Sequence, residues 1–226
     1  MLLLKKETQN LITMKIEFTE SQNQFRSEIR DWFSKNVPSK PLASFDTKEG
    51  FEEHREWEKT LNQGNWSMVT WPTEYGGRAL NLIEWLIFEE EYYRANAPAR
   101  VNQNGVFLLG PTLMEYGTDD QKSKFLSAMA EGDHIWSQGW SEPNAGSDMA
   151  AIRATAFRNN DTFIINGQKT WSSRAAFADW TFGLFRSDPE SERHRGLSFI
   201  LVPLDQKGVT VRPVSYTHLR AHETSP

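Results

Sequence analysis

The sequence predicts an α+β multidomain protein, with an all-helical N-terminal domain followed by an antiparallel β-barrel-like domain. Three observations predict it. From Thr19 to Gly132, apolar residues recur at a spacing near four between helix start and stop signals. At Ile135 the period drops to two. From there to Val214, short β-prone runs alternate with turn residues, the pattern of a small antiparallel barrel or sandwich. The division that follows is an extension over 1–14, a helical domain over 15–132, a β domain over 133–214 and a tail over 215–226.

The first helix starts at Thr19-Glu20-Ser21-Gln22, a capping box in which the Thr19 hydroxyl accepts from an orphan amide and Gln22 reaches back. Phe25, Ile29 and Phe33, with Trp32 alongside, form its apolar stripe, which ends before Pro38. Phe51 to Gln63 is a weaker helix with Gly64 placed for a left-handed cap. Trp66 to Gly77 is a loop stiffened by aromatics, in which packed rings are the commoner reading than a carbohydrate platform. Asn81 caps a strongly apolar helix running to about Arg94. Val101 to Leu109 is a further helical piece, Pro111 suits the first turn of the next, and Gly117 stops it. Thr118-Asp119-Asp120-Gln121 is a second capping box, opening a helix that runs to Gly132. In the second half, Ala154 to Phe157, Thr162 to Ile165, Gln168 to Trp171, Trp180 to Phe185 and Leu197 to Leu204 read as strands, and Gly208 to Val211 starts another. Asn159-Asn160-Asp161 separates the first two of these runs, and Asn166-Gly167 reads as a hairpin turn between the second and third.

Composition excludes several function classes. With 226 residues, of which 38% are hydrophobic, the chain can bury one large core or two small ones. A net charge of -5, with basic and acidic residues interspersed, provides no basic field for nucleic acid. The absence of cysteine rules out disulfides, thiolate metal sites and cysteine nucleophiles, and fits a reducing cytoplasm, the expected location. Five scattered histidines show no ligand spacing, so no metal is expected. The apolar run at Leu2 to Leu4 is far too short for a membrane span, and the charge at Lys5-Lys6 follows it rather than preceding it.

Between the two halves lies Gln138-Gly139-Trp140-Ser141-Glu142-Pro143-Asn144-Ala145-Gly146-Ser147-Asp148. Gly139 and Gly146 remove side-chain bulk so that backbone N–H groups can approach a ligand, and Pro143-Asn144 favours a turn. On composition this is equally a ligand-cradling loop or a polar surface turn. The order of its residues closely resembles the flavin-binding signature of the acyl-CoA dehydrogenase family. A second matching stretch, Asn166-Gly167-Gln168-Lys169-Thr170-Trp171-Ser172-Ser173, follows at the family's interval. Trp71-Pro72 through Gly77 is similar to a run found between helices in the family, and Met14 to Glu20 resembles the beginning of many bacterial members. The resemblance covers about 15 to 214. The stretch Ser215 to Pro226 does not resemble the family's continuation into a third, helical domain, and is read as a non-native tail on a truncated chain.

The resemblance implies FAD as cofactor, bound without a Gly-x-Gly-x-x-Gly fingerprint, which this chain lacks. It implies that Gln138, Gly139, Trp140 and Ser141 line the flavin ring, with the Ser141 hydroxyl near the pyrimidine edge. Trp171 would pack against the ring, Ser172 belongs to the same binding stretch, and Ser173 would bond near N5. Ser147 corresponds to a residue at the cofactor that also contacts the thioester's pantetheine arm. Trp140 departs from the smaller aliphatic residue usual in the family. The reaction implied is oxidation of a fatty acyl-CoA to its trans-2-enoyl-CoA, with electrons passed to an electron-transferring flavoprotein by a homotetramer. The family's glutamate base lies in the third domain, so no catalytic residue is assigned here and the fragment is expected to be inactive. A related flavin oxidase or monooxygenase, or an inert aromatic-rich binding module, are the alternatives. Glu142 and Asp148 as an acid–base pair is the weaker reading, because turn carboxylates more often cap amides or hold a loop's shape.

Overall fold

A computed structural model describes residues 17–213; the expected extension at 1–14 and tail at 215–226 lie outside them. Five α-helices form the first half: α1 (Glu20–Asn36), α2 (Lys48–Gln63), α3 (Leu82–Arg94), α4 (Gly110–Tyr116) and α5 (Asp119–Ala130). The capping boxes form as the sequence predicts: Thr19 Oγ1 accepts from Gln22 N at 3.2 Å, and Thr118 Oγ1 accepts from Gln121 N at 3.2 Å. α3 has a third, in which Glu84 closes onto the Asn81 amide at 3.0 Å. α2 begins earlier than its apolar stripe suggests, because Thr47 Oγ1 accepts from Gly50 N at 3.1 Å. Gly64 is not left-handed; Asn65, with φ 57°, makes that turn instead. Ile29 and Phe33 of α1, Trp57 and Leu61 of α2, and Ile87 and Phe88 of α3 close on Trp66, which stacks on Phe88 with ring centroids 5.8 Å apart. The helical stripes are therefore core, and the loop tryptophan is part of it.

The helical piece before α4 is a π-turn over Asn104–Leu109, with Gly110 N donating to Gly105 O. Pro111 explains how it is sustained. The Val106 carbonyl finds no donor one place further along, since proline has no N–H, and the Trp71 indole N–H fills the vacancy at 3.1 Å. The aromatic loop and the π-turn thus complete each other.

Five strands follow: β1 (Trp136–Gly139), β2 (Thr155–Asn159), β3 (Thr162–Asn166), β4 (Trp180–Arg186) and β5 (Leu197–Pro203). They make one mixed sheet. β4 pairs antiparallel with β5 and parallel with β1, and touches antiparallel hairpin β2–β3 through Thr155 and Arg186. The α+β architecture stands, with two corrections: the sheet is not closed into a barrel, and β1 runs parallel to β4. Gln168 to Trp171 is not a strand, and 208–211 forms none. Gly167, at φ 155°, lies so close to Ala154 that a side chain would collide with it, and Trp171 at φ 57° leaves the extended region altogether. The hairpin turn sits at Asn160, φ 54°, between the first two of the expected runs, and not at Asn166-Gly167.

The two halves are tied together by charge as well as packing. Arg55 of α2 reaches Asp179 Oδ2 at 2.9 Å, and Asp179 accepts the Ile135 amide at 2.7 Å, just before β1. Phe125 and Met129 of α5 pack with Trp136 and Phe182 of the sheet in one cluster.

Candidate flavin-cradling site

β1 places Gln138 and Gly139 at the end of a buried strand beside β4, with Gly139 opposite Gly183. The chain then leaves the sheet through Trp140, whose indole N–H donates to Gln138 Oε1 at 3.0 Å while its ring meets Phe182 and Phe199, each at a centroid distance of 5.7 Å. Trp140 is therefore packed against the sheet. Beyond it, Glu142 and Ala145 exchange two backbone hydrogen bonds of 2.7 and 3.1 Å across Pro143-Asn144, the turn the sequence predicts. Ser147 is exposed past that turn.

The second motif stretch lies against the first. Thr170 N donates to Ser141 O at 2.9 Å, which joins the Gln138–Asp148 loop to the segment carrying Trp171, Ser172 and Ser173. Lys169 is the pin between them: its ammonium donates to Glu142 Oε1 at 2.9 Å, Leu184 O at 2.6 Å and Trp140 O at 3.4 Å. Glu142 also accepts the amides of Arg153 at 2.8 Å and Ala154 at 3.0 Å. Burial works against its charge, but the Arg153 amide, the Lys169 ammonium and the Ala154 amide outweigh it and hold the carboxyl below the usual range. Burial pushes Lys169 below the usual lysine value, and Glu142 offsets only part of that.

Both carboxylates of the loop are thereby occupied. Asp148 caps a short 3₁₀ turn (Met149–Ala151) through the Ala150 amide at 3.2 Å. Lys169 was missed as a working residue by sequence reasoning; the available signal was one buried-prone lysine inside a motif facing another motif's lone glutamate. Among the described residues there is no cluster of three metal-ligating side chains, and no helix is long and apolar enough to cross a membrane.

The residues present fit a flavin. Trp171 is held at φ 57°, unfavourable for a bulky side chain, with its ring 62% exposed. Next to it the Thr170 hydroxyl is buried without a hydrogen-bond partner. A side chain added at Gly146 would meet nothing within 4 Å, so the loop leaves its backbone open there. An uncovered aromatic side chain and an unmet hydroxyl next to the half-buried Ser141, with an open glycine further along the same loop, are what a planar heterocycle with polar edges requires.

Comparison with known proteins identifies the family of both halves. The acyl-CoA dehydrogenase N-terminal domain matches residues 19–133, and the acyl-CoA dehydrogenase middle domain matches residues 137–225. Acyl-CoA dehydrogenase IpdE1 of Mycolicibacterium smegmatis is 43% identical over 208 residues, covering 85% of this chain and 53% of that protein. The structure titled Tcur3481-Tcur3483 steroid ACAD superimposes with a TM-score of 0.74 at 33% identity, covering 86% of this chain and 50% of that one. The ChsE4-ChsE5 complex from Mycobacterium tuberculosis gives a TM-score of 0.68 at 35% identity, covering 85% and 49%. The chain thus spans about half the length of the relatives it matches. With its helical half matching the family's N-terminal domain and its sheet half matching the middle domain, this chain belongs to the acyl-CoA dehydrogenase family.

Proposed function

We propose that these residues form the flavin-facing part of an FAD-dependent acyl-CoA dehydrogenase, which oxidises an acyl-CoA thioester to its trans-2-enoyl-CoA. The observation that carries the reading is the Thr170–Ser141 hydrogen bond of 2.9 Å, because it sets Trp171 and Ser173 beside Ser141 in one cradle. FAD, when bound, supplies the two-electron acceptor for a hydride from the substrate's β-carbon. This chain's residues hold and orient it. Gln138, Gly139, Trp140 and Ser141 would hold one side of the cofactor, with the Ser141 hydroxyl available as a donor. Trp171 would pack against it, and Ser172 and Ser173 would hold it from the second segment, with the Ser173 hydroxyl as a further donor. Ser147 lies at the outer end of the loop, suited to the cofactor's tail and the pantetheine arm. The α-proton goes to a carboxylate base, and no carboxylate of this loop is free for that role: Glu142 accepts from three donors and Asp148 caps a turn.

The acyl group is taken as a fatty chain. The similarity to a protein described as a steroid ACAD, at 33% identity, favours a second reading, a steroid acyl-CoA. An electron-transferring flavoprotein as acceptor, and a homotetramer, complete the proposal. The test is to add FAD to the purified protein and titrate straight-chain and ring-bearing acyl-CoAs with an artificial acceptor. Retained yellow cofactor and substrate-dependent bleaching are expected in a chain of the relatives' full length. A full-length protein that retains no flavin sinks the reading. Rapid reoxidation of reduced flavin by oxygen replaces the dehydrogenase with an oxidase or monooxygenase.

A further inference from the structure

The sheet half carries the proposed flavin segments, yet a deeply buried cluster of polar and charged side chains lies in the helical half. Glu58 of α2 is 1% exposed and Asn102, just before the π-turn, is 0% exposed. Every hydrogen-bonding group of Asn102 except its own carbonyl points at a different piece of chain. Its backbone N–H donates to Glu58 Oε1 at 3.0 Å. Its side-chain amide donates to Met129 O at 3.1 Å and His134 O at 3.0 Å, at the exit of α5. Its Oδ1 accepts the Trp136 amide at 3.1 Å, at the first residue of β1. The other Glu58 oxygen accepts Arg100 Nε at 2.7 Å, and Arg100 Nη2 donates to Ser67 O at 3.0 Å. From the far side, Arg174 Nη2 donates to Arg100 O at 3.4 Å, and Arg174 follows Ser173 directly in the chain.

The cluster therefore touches both flavin segments by different routes, β1 through Asn102 and the Trp171–Ser173 segment through Arg174. Its geometry is enforced. A Cβ on Gly105 would stand 2.6 Å from Asn102 Oδ1 and 3.0 Å from Trp136 Cδ1, so only glycine leaves the Asn102–Trp136 contact intact. Arg174 is held at φ 74° with its guanidinium 4.1 Å from the centre of the Phe45 ring, so the second arm is fixed as well. A buried ionic cluster is seldom retained for stability, since apolar residues of the same volume serve that purpose at least as well; registry is its best-attested use.

We propose that Glu58, Arg100 and Asn102 are positioning residues, which set the spacing between the Gln138–Ser141 edge and the Trp171–Ser173 edge of the cofactor cradle. They touch no reacting atom. They act through the Trp136 amide and through Arg174. The flavin part of this inference rests on the proposed function, whereas the positioning part does not.

The experiment compares Asn102→Ala and Gly105→Ala with Leu61→Ala, a core truncation in α2 that removes no hydrogen-bonding group of the cluster, at denaturant concentrations giving equal overall stability. Gly105→Ala removes no hydrogen-bonding group, so it serves if Asn102→Ala fails to fold. Amide exchange at Gln138, Gly139, Ser141 and Thr170 is expected to accelerate about tenfold or more in the two cluster variants relative to Leu61→Ala, as a local opening does. FAD affinity is expected to fall by about tenfold or more, with a shifted flavin absorption band, because a small misplacement of positioned groups is costly. Exchange no faster than in Leu61→Ala overturns the inference. Faster exchange with unchanged FAD affinity and absorption also overturns it for the cradle. Faster exchange in a protein that binds no flavin at all leaves the positioning role standing and rejects the proposed function instead.

Discussion

Glu142 shows how a single side chain decides between two functions for the same loop. As a free carboxylate near Asp148 it would suggest acid–base catalysis; with two amides and an ammonium on its oxygens it is a fastener. Truncating one member of a buried ion pair leaves the other charge uncompensated, at about 3–5 kcal/mol, so Lys169→Met is expected to destabilise strongly and to loosen the Ser141–Thr170 contact. Chemical denaturation checks it, and a loss below about 1 kcal/mol, the level of an exposed pair, rejects the fastener role. The pH dependence has a definite sign. The folded Glu142 carboxyl is held below its ordinary value, so its contribution is fully present above the unfolded value of about 4.3 and is lost as pH falls through the folded one. A Glu142→Gln variant is accordingly expected to lose part of the acid-induced drop in stability below that pH; an unchanged acid profile contradicts the assignment. If Ser141 and Ser173 bond FAD as proposed, Ser141→Ala and Ser173→Ala in a chain of the relatives' full length are each expected to weaken FAD binding by about 1–3 kcal/mol, the cost of one neutral hydrogen bond, with the fold intact. Unchanged affinity in both rejects their placement. The two motif segments were legible because each is contiguous in sequence; the role of Lys169 was not, because its partner lies 27 positions away.

At the scale of elements, what could be read was what the chain settles within a few residues. The boxes at Thr19 and Thr118 formed because hydroxyl and glutamine sit three positions apart. The parallel pairing of β1 with β4 depends on residues 44 apart, Trp136 and Trp180, and has no local signature. The expected strand at Gln168 to Trp171 failed for a steric reason: Gly167 approaches Ala154 too closely for the chain to continue straight, and Trp171 turns left-handed. The π-turn is the clearest case of a feature that two distant residues create together. Pro111 orphans the Val106 carbonyl, and Trp71 satisfies it at 3.1 Å. Trp71→Phe keeps the ring and removes the donor, leaving a buried carbonyl without a partner, so a loss of about 1–3 kcal/mol is expected. Gly110→Ala adds a methyl group that collides with the Trp71 ring, and overpacking of this kind is destabilising by about 1–3 kcal/mol. Thermal or denaturant unfolding reads both. A neutral Trp71→Phe means that water, not the indole, meets Val106 in solution.

For the whole molecule, the distribution of apolar surface and the inventory of carboxylates point the same way. Leu82, Leu86 and Leu108 on the helical half and Phe157, Phe163 and Ile164 on the β2–β3 hairpin are exposed, and Trp171 stands uncovered at the cradle. Faces of this kind are normally covered by partner surface, and the relatives are about twice as long as this chain. The two-domain order was visible from the change of period at Ile135; what covers these faces is not written in the residues that form them. A polypeptide of these 226 residues is therefore expected to self-associate and to bind hydrophobic dyes more strongly than a full-length relative. It is also expected not to dehydrogenate acyl-CoA at an enzymatic rate. Positioned proton transfer contributes roughly 10²–10⁴-fold, and both loop carboxylates, Glu142 and Asp148, are committed to holding backbone. An exposed Trp171 with nothing opposite it also leaves the cradle open to water, which weakens every electrostatic interaction made there. The measurement is turnover with FAD, saturated acyl-CoAs and an artificial acceptor, for this polypeptide and for a chain extended to the relatives' length. A rate more than about a hundredfold lower in the shorter chain is the expected result if the positioned base lies in the added length. Equal rates would mean that a carboxylate already present abstracts the proton, with Glu142 released from Lys169 or Asp148 released from Ala150 as the first candidates, and substitution of each in turn would identify it.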